Sequence, residues 1–307
     1  MLLIKLYNNL LALVLMMLTG AGLAKTGYID AKMRAGLNKL VFSFTLPLLV
    51  FNSMYGSITR ELLGTSLYPL VFGAGLSILN GGVAWLLGML FHTAPQERPL
   101  VSFMNMFGNN IYLALPMVTA LFGAETASTV LLYTIGSDLV FWTLGVAMLS
   151  GQKSLSVRDL RHLLNPTFVG LILGSLAGLA QLQLPVFLSY PISQLGGLTT
   201  PLSLMLTGAS LADIRLKEGT GSRETGALLL GKLIISPAIA AVAASLLGLN
   251  DSLRQVLVIM ASMPTVVRSI VLSDRYGWDS RKTALGVLAT TIACFITIPI
   301  VLTLVQR

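Results

Sequence analysis

Long apolar stretches separated by short polar ones set the pattern of this chain. Runs of about 20 apolar residues recur from end to end, each long enough to cross a hydrocarbon core of about 30 Å. In hydrocarbon every backbone N–H and C=O must be satisfied within the protein, so these runs predict helices. Their expected positions are 7–25, 37–56, 66–90, 99–122, 127–150, 166–184, 190–212, 225–248, 253–273 and 282–305. Charges and turn residues mark the breaks at 25–34, 60–61, 95–98, 153–162, 213–224, 250–254 and 274–282. The polar stretches fall far short of the roughly 50 residues of a minimal domain, so no soluble domain is expected. The pattern therefore predicts an all-α membrane protein of ten transmembrane helices. Lys5, the apolar run to Met17 and the small residues at 21–24 imitate a secretory leader. We read this segment as the first membrane helix, because the repeat described below requires it.

Charge strengthens the membrane reading. Only 10% of the residues are charged, against roughly 25% in soluble domains. The net charge of +8 would suit nucleic acid, but its distribution argues for a bilayer and against nucleic acid as a partner. Of the 20 basic residues, 13 fall in the segments after helices 1, 3, 5, 7 and 9, and four on the other side, termini included. Lys39, Lys232 and Arg268 lie inside spans. By the positive-inside rule the 13 face the cytoplasm and both termini face out. The chain is therefore expected to lie in a membrane in this orientation.

Ten helices divide as five plus five, and an odd number per half forces opposite orientation. The expected organisation is a first five-helix repeat at 1–150, a cytoplasmic linker at 151–164 and a second, inverted repeat at 165–307. Inverted repeats characterise many secondary transporters. Pro47 aligns with Pro201 and Pro116 with Pro264, at separations of 154 and 148 residues. Chance placement of prolines in apolar helices is the plain alternative.

The polar residues inside spans are the candidate chemistry. Pro116 and Pro264 lack the N–H that would bond the preceding turn, so helices 4 and 9 should bend or break there. Half-helices starting near these prolines would turn their positive ends toward the membrane interior, where they form an anion site if the helices cross. Ordinary proline kinks are the other reading. Asn109 and Asn110 precede Pro116, and each amide offers two donors and an acceptor for substrate or for helix–helix contact. Asp138 is the only acidic residue inside a span. It would carry a proton, hold a cation, or pair with Lys232, Arg268 or Lys39. Arg268 lies one turn after Pro264, suited either to a substrate carboxylate or to snorkelling toward the cytoplasm. Lys232 is the second candidate for coupling. The single cysteine, Cys294, excludes an intrachain disulfide, and His92 and His162 show no metal-ligand spacing. No phosphate-binding loop or catalytic cluster is present, so neither a cofactor nor enzyme activity is expected.

These residues resemble a known family. Asn109-Asn110-Ile111-Tyr112-Leu113-Ala114-Leu115-Pro116, followed by Leu121-Phe122-Gly123, resembles the helix 4 signature of the auxin efflux carriers. Met263-Pro264-Thr265, Asp274-Arg275-Tyr276-Gly277, Thr290-Thr291 and Thr297-Ile298-Pro299 resemble the family's helix 9–10 region, and Leu46-Pro47-Leu48-Leu49-Val50-Phe51 its helix 2. The resemblance covers nearly the full chain. It implies a fold similar to bile-acid symporters and sodium/proton antiporters, with a scaffold part, a transport part and crossed broken helices 4 and 9. It also implies transport of organic carboxylates, auxin in plants and malonate or malate in bacteria, and a homodimer. The family's asparagine carries over to Asn109 and its crossing prolines to Pro116 and Pro264. Tyr112, Thr265, Asn110 and Arg268 complete the expected substrate site, with Asp138 and Lys232 as coupling groups for a proton or sodium gradient. Ala114 and Ile111 depart from the glycines common in the family, which tightens the helix 4 region. The rival within transport is a sodium-coupled symporter or cation/proton antiporter that uses Asp138 as cation ligand.

Overall fold

The computed structural model describes residues 2–57, 67–151, 166–212 and 222–305. The predicted linker 151–164 and the loop charges Arg60, Lys153, Arg158, Arg161, Arg215 and Lys217 fall outside these, Gly151 excepted. Among the described residues the chain is helical, and its one β-bridge joins Gly108 to Thr265. The helices are α1 (Leu2–Lys25), α2 (Ala31–Leu40), α3 (Leu46–Ser57), α4 (Leu67–Leu90), α5 (Arg98–Met106), α6 (Leu115–Phe122), α7 (Ala127–Val140) and α8 (Val146–Ser150). They continue as α9 (Pro166–Leu179), α10 (Val186–Gly197), α11 (Thr199–Ala212), α12 (Ser222–Leu230), α13 (Ser236–Leu246), α14 (Asp251–Ala261), α15 (Arg268–Arg275) and α16 (Ser280–Val305). Among the described residues six stretches are long and apolar enough to cross a membrane: Ala31–Gly56, Leu67–Leu90, Ala124–Ser150, Val186–Ala212, Arg223–Leu246 and Ser280–Val305. Large apolar side chains stand outward, as at Val186, Phe187 and Leu246, where a soluble protein would carry charge.

Several predicted boundaries move, two of them for a visible local reason. The second helix begins at Ala31 rather than at 37, because Asp30 caps it by accepting from the Met33 N–H at 2.7 Å, and its polar first turns hid this start. The helix expected to reach 184 ends at Leu179, where Gln181 adopts a positive φ of 50° and Leu182 N–H bonds back to Ala177 O at 3.0 Å.

Among the described residues four π-helical turns interrupt the helices, at Val41–Thr45, Asn110–Ala114, Phe141–Gly145 and Gly231–Ile235. Three of them end two residues before a proline, namely Pro47, Pro116 and Pro237. A proline ring clashes with the carbonyl four residues back and brings no N–H. A locally wider turn relieves the clash, so these helices continue through their prolines. That corrects the expectation for Pro116: it is the second residue of α6, and helix 4 opens earlier, at residues 107–109.

The chain forms two compact units that interleave along the sequence. The first comprises Met1–Tyr68, Ile111–Leu132 and Leu160–Asp213, and the second Pro69–Asn110, Tyr133–Asp159 and Ile214–Arg307. In the first, α1 lies directly against α11, with Gly20 facing the backbone of Met205 and Gly208 facing that of Met17. Thr199 donates to the Thr45 hydroxyl at 3.0 Å, and Arg34 to Ala209 O at 3.1 Å. In the second, α4 meets α7 through a Ser77–Ser137 hydroxyl bond of 3.0 Å, and Phe103, Phe107 and Phe141 pack as an aromatic core with centroids 4.8–5.4 Å apart. Lys282, in the first turn of α16, reaches the Glu97 carboxylate at the start of α5 at 2.8 Å. Both side chains keep water contact, so Glu97→Gln is expected to cost under about 1 kcal/mol. Thermal melting at low and at high salt checks this, with the difference vanishing at high salt.

Candidate functional site

The second unit contains two helix breaks, and they pair with each other. α5 ends at Met106 and the backbone becomes extended at Phe107 (φ −118°, ψ 122°), turning helical again at Asn110. α14 ends at Ala261, and α15 starts at Arg268. Between these ends the two extended segments run antiparallel: Asn109 N–H donates to Pro264 O at 2.8 Å, and Val266 N–H to Phe107 O at 3.1 Å. An unwound backbone in a membrane needs partners inside the protein, and each break supplies them to the other. Gly108 lies at the crossing, where an added Cβ would come within 3.0 Å of Met263 Cβ.

Each half-helix that ends at the crossing leaves carbonyls without helical partners, and side chains cap them. Thr265 Oγ1 donates to Met104 O at 3.0 Å, Lys232 Nζ to Asn105 O at 2.8 Å, and Ser236 Oγ to Ala261 O at 3.0 Å. Asn80 Nδ2 donates to Ser236 Oγ at 2.9 Å, and Thr265 N–H to Thr290 Oγ1 at 3.2 Å. Lys232 is only 2% exposed, so its amine caps the negative end of α5 inside the bundle.

The other side of the crossing is unsatisfied. Asn109 is 1% exposed, and its Nδ2 has no hydrogen-bond partner among the described residues. The same holds for Asn110 Oδ1, Arg268 Nε and Ser269 Oγ. Their residues stand where the outgoing helical segments begin, Asn110 as the first residue of the π turn Asn110–Ala114 and Arg268 as the first of α15, at the positive end of each helix dipole. Buried polar groups are almost always paired, so four orphans at one crossing mark a place prepared for a partner. Three of the four can donate, which suits an anion.

The predicted residues distribute unequally. Asn109, Asn110, Pro264 and Thr265 meet at the crossing, and Lys232 joins them through Asn105. Of the partners open to Asp138 in the sequence, the structure selects Arg268. Nη1 donates to Oδ2 at 3.4 Å and Nη2 donates to Oδ1, while the guanidinium lies over the Phe141 ring with Cζ 3.9 Å from its centroid. Arg268 therefore does not snorkel. Tyr112 and Pro116 belong to the first unit, where the Tyr112 hydroxyl donates to Asn38 Oδ1 at 3.1 Å and its ring centroid lies 5.5 Å from that of Phe42. Sequence reasoning missed Asn105, Asn80 and Ser236. Asn105 stands four residues before Asn109, a polar side chain at span depth that could have been found by the same rule.

A helical, membrane-crossing chain with paired helix breaks and uncapped donors in its interior has the construction of a membrane transporter. The chain belongs to the family described as membrane transport protein, the auxin efflux carriers of the sequence resemblance, whose profile matches residues 5–302. It is 26% identical over 313 residues to a Rhizobium meliloti protein named "Putative malonate transporter", covering 93% of each chain. It is also 24% identical to an uncharacterized transporter of Methanocaldococcus jannaschii, over 83% of this chain and 84% of that one. A second uncharacterized transporter, from Methanothermobacter thermautotrophicus, is 23% identical over 95% of this chain and 96% of its own.

Proposed function

We propose that this protein is a secondary active transporter of small organic anions, malonate- or malate-like dicarboxylates or auxin-like acids, working as an efflux carrier by alternating access. In this reading it has ten membrane helices in two inverted repeats, 1–150 and 165–307, lies in a bacterial inner membrane with both termini outside, and assembles as a homodimer. Substrate binds at the paired breaks, and such carriers move one bundle against another around a midplane site. The observation that carries the reading is the Asn109 amide, buried at the crossing with an unpartnered donor. In the same direction points the name of the Rhizobium meliloti relative, a malonate transporter in its printed wording.

Cation coupling of the symporter type usually recruits half-helix carbonyls as ligands. Here Met104 O, Asn105 O and Ala261 O already accept from Thr265, Lys232 and Ser236. This favours the organic-anion carrier over the sodium-coupled symporter or antiporter.

The test is flux in liposomes. The purified protein should take up radiolabelled malonate, malate or indole-3-acetate saturably, and Asn109→Ala should lower that flux by about ten-fold or more, the effect of one lost hydrogen bond to a charged group. Absence of flux for every acid, with dissipation of an imposed sodium gradient instead, would sink the proposal in favour of the antiporter.

A further inference from the structure

We infer that Asp138 is a built-in counter-ion, holding the place of a substrate carboxylate on Arg268 while the carrier is empty. The inference rests on the organic-anion reading above and adds to it a second anchor and the means of its return.

Arg268 is the first residue of α15, directly after the break, and Asp138 comes from α7. The carboxylate accepts from both terminal nitrogens of the guanidinium, whose face is covered by Phe141. One edge of the fork remains unused. Among the described residues Arg268 Nε is buried without a partner, and the neighbouring Ser269 is 0% exposed with its hydroxyl equally unpartnered. A structural ion pair that served only to stabilise the bundle would leave no such remainder, since buried donors are normally matched. The pair is also not sealed. The Arg268 and Asp138 side chains are 30% and 25% exposed, whereas Lys232 is 2% exposed. A carboxylate can reach the guanidinium, take two parallel N–H donors including Nε, and add the Ser269 hydroxyl.

Exchange of one carboxylate for another explains why the site holds both charges. An isolated guanidinium inside the membrane is costly, and the cost applies whenever the carrier moves. In the loaded carrier the substrate carboxylate neutralises Arg268 and the released Asp138, 25% exposed, turns to water; in the empty carrier Asp138 returns to Arg268. Asp138 is thus a positioning residue with a role in the return of the empty carrier, while Arg268 together with Asn109 gives two anchors, matched to a substrate with two carboxylates.

The two transport modes separate this role from a structural one. Exchange, with malonate on both sides of the liposome, needs only the loaded carrier; net uptake into empty liposomes needs the empty one to return. Asp138→Asn is expected to retain exchange while net uptake falls by about ten-fold or more. Asp138→Glu, which keeps the carboxylate, should retain net uptake as well as exchange. Unchanged exchange and net uptake in Asp138→Asn would overturn the inference, as would equal loss of both in a variant with wild-type melting and elution. Should Asp138→Asn not fold, Asp138→Ser takes its place in the same two assays, and the same outcomes decide. If Asn109-sensitive malonate flux exists and Asp138 is neutral, only this inference fails. If the wild type moves no carboxylate in either mode, the organic-anion reading fails and this inference fails with it.

Discussion

Adding one methyl group at Gly20 is expected to destabilise the protein severely, while the same change at Gly22, two residues along α1, leaves it as stable or more so. A Cβ on Gly20 would stand 1.9 Å from Met205 O, and one on Gly208 of the opposing helix would stand 1.8 Å from Met17 O. Both obstacles are backbone atoms, which cannot rotate away as a side chain can. The helices would have to separate along their whole contact, and overpacking of this kind costs about 1–3 kcal/mol, occasionally more. Close approach through small residues is also what holds membrane helices together, since lipid is as apolar as they are. Gly22 meets nothing within 4 Å, so alanine there gains up to about 1 kcal/mol of helix propensity. Thermal melting of the two variants in detergent reads the contrast directly. Equal melting points would mean that α1 and α11 are not locked at this contact.

Lys232→Met is expected to leave the protein folded and to remove most of its transport. Burying a lysine amine whose one hydrogen bond among the described residues is to a carbonyl is unfavourable, so replacing it with an apolar side chain of similar length is close to neutral for stability. The local effect is different. Asn105 O, at the end of α5, loses its partner, and an unpaired buried carbonyl costs about 1–3 kcal/mol. The backbone can relieve that cost by rearranging over the next few residues, which include Phe107 and Asn109 at the crossing. Misplacing Asn109 by this energy corresponds to a flux lower by about ten-fold or more. Malonate flux and melting temperature measured on the same preparation test the claim, and wild-type flux in the variant would refute it.

The candidate site was partly legible in advance. Asn109 and Pro264 stood out because a polar pair and a proline in apolar helices violate a local rule, and such violations cluster at functional positions. Pro116 violated the same rule and misled, because the π turn Asn110–Ala114 absorbs it and the backbone opens at Phe107–Asn109 instead. Lys232 was read as a coupling group and is seen capping Asn105 O, a partner on a helix far away in sequence.

The sequence by itself determined that this chain is helical, crosses a membrane and belongs to a transporter family, because span length, apolar composition and motif order are properties of short segments. It also determined which residues are out of place there: Asn109, Asp138, Lys232 and Arg268. Only the tertiary structure decided how they are compensated. Asp138 had three cations to choose from, and the fold gave it Arg268. The extended backbone at 107–109 could end in kinks or in a crossing, and the segment at Pro264 supplied the hydrogen bonds that made a crossing. Hydrophobic patterning specifies where each helix runs, but a buried polar group is satisfied by whichever residue folding brings within hydrogen-bond distance, and that pairing is not encoded in any local window.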